Sequence, residues 1–174
     1  CSSDLIALVA PAALVENADA AVIYSAVNWT VPSTVSGLYI NVESRATGTL
    51  DTDVPGWDLN PYSTTSLTWF NATGTGMMRF PGVTTGGPGC LAAGTSVGPA
   101  GSFGAGTVVV GSAPGNWHLN SANYFGFRFV GSDGLTHYGW GKFEVGASIA
   151  GADRRITEIA WDSVANRAIL VGDT

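Results

Sequence analysis

YFGFRFVGSDGLTHYGWGKF, residues 124–143, is the stretch whose reading decides the fold. From Tyr124 to Val130 the residues alternate. Phe125, Phe127 and Phe129 share one face, and Tyr124, Arg128 and Val130 the other, the two-residue period of a strand with one covered side. Asp133-Gly134 follows, a favoured hairpin turn, and His137–Phe143 supplies the return strand. A two-residue turn sets Phe129 opposite Tyr138 and Phe127 opposite Trp140. A three-residue loop sets Phe127 opposite Gly139 and Phe125 opposite Gly141. The residues leave both registers open.

Outward from this hairpin the chain keeps the same character. Short runs rich in Val, Ile, Thr and aromatic residues are broken by Gly, Pro, Asn and Asp, and predict strands over 21–30, 37–43, 66–71, 76–80, 107–111, 116–119, 123–130, 136–145, 155–162 and 168–171. Helical periodicity is almost absent. Leu5–Asp19 could wind into a short helix, but Pro11 interrupts it. Many short strands at close spacing predict an all-β fold, an antiparallel β-sandwich or jelly roll in a single domain. The organisation expected is an N-terminal segment, 1–20, serving as an assembly or edge strand, then a sandwich domain over 21–174 with a long Gly-rich loop at 81–106. A loop of that length is uncommon in a compact domain and is often functional or mobile.

Composition narrows the compartment. Of 174 residues, 45% are hydrophobic, enough for a proper core, and only 11% are charged, less than half the usual share of about 25%. Lys142 is the sole lysine, while glycine occurs 24 times. Low charge with abundant Gly, Thr, Val and aromatic residues is the composition of exported β-proteins and predicts a secreted or cell-surface location. The net charge of −6, with only Arg154 and Arg155 adjacent among the basic residues, argues against nucleic acid as a partner. No apolar run approaches the roughly 20 residues that span a bilayer, so no transmembrane segment is expected. A chain that opens on Cys1 rather than Met reads as processed.

Two cysteines, Cys1 and Cys90, allow three readings. A Cys1–Cys90 disulfide ties the start of the chain to the Gly-rich loop in an oxidising compartment. Lipidation of Cys1 fits the Cys-Ser-Ser start of a bacterial lipoprotein. A free or intermolecular thiol is the third.

Several strings resemble one group of proteins. GLYINV (37–42), VPGWDLNPY (54–62), NYFGFRF (123–129), THYGW (136–140) and ITEIAWD (156–162) occur in the same order in exported bacterial β-rich proteins of uncharacterised function, of the kind often carrying a PEP-CTERM-type sorting tail. The resemblance implies export and a β-rich fold and carries no established active site; the usual tail is not found before Thr174.

Candidate chemistry is sparse. Gly94-Thr95-Ser96-Val97-Gly98 matches the nucleophile-elbow pattern, but it lies in a Gly/Pro loop with no helix after it, and His118 and His137 fall in predicted strands. Paired carboxylates for glycoside hydrolysis would have to come from Glu43, Glu144 and Glu158. Two His and two Cys fit no zinc pattern. Asp51, Asp53 and Gly56 open like a calcium loop, with Asp58 and Asn60 as further oxygen donors. Pro55 and Tyr62 occupy positions where ligands should stand, so the alternative is a polar turn. No cofactor is expected beyond that Ca2+ reading. Asn28-Trp29-Thr30 and Asn71-Ala72-Thr73 are glycosylation sequons, accidental in a bacterial protein. Among the aromatics, Trp57, Tyr62 and Trp117 are the candidates to stack sugars; Trp69, Tyr138 and Trp140 are candidates too, although most aromatics in such a domain belong to the core.

The function expected is therefore not enzymatic. A self-assembling structural subunit of a fibre, matrix or surface layer comes first, with other copies of itself as partners. The apolar run Leu5, Ile6, Ala7, Leu8, Val9 would add a strand to a neighbour. A module that binds surface glycans or mediates adhesion comes second, a secreted glycoside hydrolase third.

Overall fold

The computed structural model describes residues 21–174. The N-terminal segment 1–20, its assembly residues Leu5–Val9 and Cys1 lie outside them. The described residues form thirteen strands: β1 Val22–Thr30, β2 Tyr39–Ile40, β3 Thr47–Gly48, β4 Leu59–Tyr62, β5 Thr68–Asn71, β6 Gly76–Met78, β7 Ser96–Val97, β8 Phe103–Gly104, β9 Gly106–Thr107, β10 Ser121–Val130, β11 Thr136–Val145, β12 Arg154–Asp162 and β13 Ile169–Leu170. One short 3-10 turn spans Asp51–Asp53. The fold is all-β and sandwich-like. The larger sheet, in the order β1-β12-β11-β10-β6-β8, packs against a smaller one, β3-β2-β4-β5-β9. Every ladder between named strands is antiparallel.

The aromatic hairpin is the centre of this arrangement. Phe127 faces Gly139 and Phe125 faces Gly141, the register of the three-residue loop. Gly131 N donates to Leu135 O and Gly134 N to Gly131 O. Gly134 takes the left-handed conformation (φ +77°) that a turn of this kind requires. The register is chosen by volume as well as by the turn. A Cβ on Gly139 or Gly141 would come within 2.3 Å of the Phe127 or Phe125 ring, so each ring lies across the cross-strand glycine. Phe125, Phe127 and Phe129 are fully buried against Ile40, Leu59, Trp69 and Trp117 of the opposing layer. The ring centroids of Trp69 and Phe125 are 4.9 Å apart.

The reverse face of the larger sheet is covered as well. Met78, Leu91, Val97, Tyr138, Trp140, Ala160, Ile169 and Val171 make a second core there. Its lid is the Gly-rich loop 81–106 together with the C-terminal β13, which pairs with β7. The loop is thus a packed third layer, with β7 and β8 inside it and Leu91 bridged to Tyr124. Gly126 makes room for it: a Cβ there would lie 2.9 Å from Val97 and 3.0 Å from Leu91. Coverage on both sides explains why β11 is buried along most of its length rather than at alternate residues.

Several strand expectations change, and the expected 37–43 strand shrinks to β2. Residues 116–119 form no strand; Trp117 makes only a parallel bridge to Val110. The expected 107–111 strand shrinks to β9, and 168–171 to β13. Conversely β4, which holds Pro61, pairs with β5 over four residues; a proline inside the run hides such a strand from sequence reading.

Candidate functional site

The outer face of the smaller sheet, turned away from both cores, carries the most distinctive exposed chemistry. Alternation sends Ile40, Leu59 and Trp69 inward, so Tyr39, Tyr62, Thr68 and Phe70 point outward, with Asn60 on the same side but buried. Trp57 is laid over them by the loop before β4. There Val54 is fully buried as a plug, Val54 N closes the turn on Asp51 O, and Asn41 Nδ2 holds the Gly56 carbonyl at 2.7 Å. Gly56 supplies the left-handed residue (φ +68°) that reverses the chain into Trp57.

The result is an aromatic trio. Trp57 meets Tyr39 edge-on, with centroids 5.0 Å apart, and meets Phe70 at 5.9 Å with the planes inclined by 36°. Tyr39 and Trp57 are half-buried, and Phe70 is 53% exposed. Beside the trio runs a chain of hydroxyls. Ser63 Oγ and Ser66 Oγ are 3.0 Å apart, Ser66 Oγ and Thr68 Oγ1 3.2 Å, and Thr68 Oγ1 and Thr107 Oγ1 2.9 Å. Thr68 is also the cross-strand partner of Tyr62. At the other end Asp53 lies over Gly48, the partner of Tyr39. The face therefore offers apolar rings, hydroxyls that donate or accept, and one exposed carboxylate within a few strands of each other.

The sequence-derived candidates separate on inspection. Trp57 and Tyr62 both reach this face. Trp117 does not: it is fully buried, packs edge-on against Phe143 at 5.5 Å and donates its ring N–H to Pro88 O at 3.1 Å, so no ring face is open to a sugar. Trp69, Tyr138 and Trp140 are likewise core residues.

The calcium-like set does not converge. Asp51 and Asp53 sit exposed in the 3-10 turn, whereas Asp58 is buried with Oδ2 accepting from Val42 N at 2.8 Å. Asn60 turns its amide N–H to Ser36 O. No group of three or more His, Cys, Asp or Glu side chains able to hold a metal occurs among the described residues. Burial pushes the Asp58 carboxyl up to about 6; the charge of Glu43 adds to the rise, and the Val42 hydrogen bond opposes it.

The possible catalytic groups are dispersed in the same way. Ser96 stands on β7, opposite Leu170. His137 is buried on the other side of the larger sheet, between Phe129 and Trp161, with Nδ1 2.9 Å from Asp162 O. Glu144 pairs with Arg155 and Glu158 with Lys142, while Glu43 accepts from the backbone and hydroxyl of Ser132.

Cys90 is half-buried at the edge of the main core, its thiol pushed up by burial; pairing with Cys1 involves a residue outside those described. A cleft of about 540 Å³ opens where the Gly-rich loop meets β6, and Arg79 crosses its wall, donating to Gly86 O, Ser102 Oγ and Phe103 O.

No protein-family model matches the chain, and no curated protein or solved structure matches it.

One residue essential to the site's support escaped sequence reading. Arg154 is 1% exposed, and its guanidinium donates to the carbonyls of Pro32, Ser63, Ser66 and Ile149 at 2.6–3.2 Å. It ties β1's exit, the hydroxyl-bearing turn at 63–66 and the β11–β12 connection into one unit. The only signal in the sequence was an arginine at the start of an apolar alternating strand.

Proposed function

We propose that the domain is a cell-surface or secreted module that binds neutral polysaccharide across the outer face of the smaller sheet. The observation that carries this reading is the Tyr39–Trp57–Phe70 cluster, open to solvent beside the Ser63–Ser66–Thr68–Thr107 hydroxyl chain. A pyranose presents an apolar C–H face and a rim of hydroxyls. Aromatic rings take the first, and serine, threonine and carboxylate oxygens take the second. An uncharged ligand fits a face whose outward side chains, Tyr39, Trp57, Tyr62, Thr68 and Phe70, carry no charge. A buried sandwich positions these groups without needing to move. The self-assembly reading rests on a different surface, the edge of β1.

The test is retention on insoluble cellulose, chitin and xylan. Wild-type protein is expected to bind at least one, and Trp57→Ala and Phe70→Ala to weaken binding about tenfold or more, equivalent to about 1.4 kcal/mol. The melting temperature should change little, since Phe70 is half-exposed. Failure of the wild type to bind any of the three, or unchanged binding by both variants, refutes the proposal.

A further inference from the structure

Among the described residues β1 is the outermost strand of the larger sheet, and only β12 pairs with it. Natural sheets blunt such an edge with lysine, proline, a short strand or a cover. β1 has none of the first three: it is nine residues long, VIYSAVNWT, with no charged residue and no proline. Its single irregularity is a bulge between Ala26 and Trp29, which leaves Val22–Ala26 as a regular stretch.

Among the described residues, the ladder to β12 leaves one set of β1 hydrogen-bonding groups unpaired. Ser163 N donates to Ala21 O, so the backbone of Ala21 faces β12. Alternation then turns the N–H and C=O of Val22, Tyr24 and Ala26 to the open side. Large apolar side chains are exposed at this edge on both faces of the sheet: Ile23 is 38% exposed on one and Tyr24 39% on the other, while Ser25, on the Ile23 face, accepts from the Arg45 guanidinium at 2.9 Å. An incoming strand can therefore bury apolar side chains on both of its faces, against Ile23 and against Tyr24.

The same chain contains such a strand. Leu5-Ile6-Ala7-Leu8-Val9-Ala10 is six uncharged apolar residues with no proline. At about 3.3 Å per residue it is just long enough to cover the regular stretch of β1. We propose that residues 5–10 of one copy add as a strand to the open edge of β1 in the next. A chain folding this run back onto its own β1 would need an eleven-residue connection, 11–21, between Ala10 and Val22, against the two to five residues usual for a hairpin. Donation to a neighbour needs no turn. The contact is heterologous, with donor and acceptor surfaces different, so it propagates into a fibre or closes into a ring.

The test uses the full chain. Sedimentation and electron microscopy should show polymers or rings. Ala26→Pro removes one open-side N–H while sparing the bonds to β12; it should abolish assembly with the sandwich still folded by circular dichroism. Deleting Ser2–Asn17, which leaves intact the described residues that build both cores, should also give a monomer, and a synthetic peptide of residues 2–15 should bind that monomer one to one. Assembly that persists in either variant overturns the proposal, as does a full-length chain that stays monomeric with residues 5–10 protected from hydrogen exchange. Polysaccharide binding by the monomeric variants is read separately, so failure of one idea leaves the other standing.

Discussion

Asp58 sets a pH dependence that can be worked from its surroundings. Its Oδ2 accepts from Val42 N, its N–H donates to Ile40 O, and its carbonyl accepts from Ala72 N and Thr75 Oγ1. The residue is 5% exposed, and burial is the main reason its carboxyl rises from 3.8 to about 6. The unfolded chain releases this proton near 4 and the folded chain only near 6, so between those values the native state holds more protons. Stability from this group is then greatest below about pH 4 and declines as pH rises to about 6, where the loss is complete. The gap, at about 1.4 kcal/mol per pH unit, amounts to about 3 kcal/mol. Asp58→Asn keeps an oxygen for Val42 N and removes the titration. Urea unfolding of both proteins from pH 4 to 8 isolates the effect: wild-type stability relative to the variant should fall by about 3 kcal/mol across pH 4–6 and stay constant above. Asp133, held below the usual carboxylate range chiefly by its hydrogen bond from Leu135 N, titrates in both proteins and cancels in the difference. Parallel curves for the two proteins, or a wild type that gains on the variant with rising pH, refute the reasoning.

Phe127→Ala removes a fully buried ring from between the two sheets and should cost about 3–5 kcal/mol, read as a lowered urea midpoint with unchanged slope. Gly141→Ala puts a methyl group 2.3 Å from the Phe125 ring, which is itself fully buried, and should cost about 1–3 kcal/mol in the same assay. Arg154→Met leaves four carbonyls without their donor and should cost about 3 kcal/mol or more. Arg154→Lys should recover only part of that loss, because one ammonium cannot reproduce the planar fork.

What the sequence disclosed follows a physical division. The hairpin was legible because alternation and Asp-Gly turn chemistry are local. Its register was not, because the choice depends on Phe125 and Phe127 lying across Gly141 and Gly139, a packing fact between strands. The Gly-rich segment read as a long loop, of the kind often functional or mobile, since its support is remote: Leu91 and Val97 are held by Gly126, Met78 and the C-terminal strand. Of the sugar-stacking candidates, Trp57 and Tyr62 reach the outer face and Trp117 does not, and nothing local distinguishes them. Phe70 was hidden for the opposite reason. In Thr68-Trp69-Phe70-Asn71 two aromatics sit side by side, and only the inward turn of Trp69 assigns Phe70 to solvent. Arg154 was illegible because its partners are backbone carbonyls, which every residue possesses.

The two proposed surfaces belong to different sheets, and this has a measurable consequence. Strand addition at β1 extends the larger sheet at its edge, while Tyr39, Trp57 and Phe70 lie on the side of the smaller sheet away from it. Assembly through β1 therefore leaves the aromatic face uncovered and repeats it at a fixed interval along the fibre. A polysaccharide is also a repeating ligand, so after one site binds the next meets sugar at high effective concentration. Linked sites of this kind gain about 10²–10⁴ in avidity without any new contact. Fibres of the wild-type chain should then hold insoluble polysaccharide at least about 100-fold more tightly than monomeric Ala26→Pro, compared per protein chain in a depletion assay. Trp57→Ala in the fibre should lose more than the same substitution in the monomer, because each weakened site lowers the chance that its neighbours engage. Equal apparent affinity of fibre and monomer would show that the repeat does not match the ligand or that assembly covers the face, and either result separates the two functions.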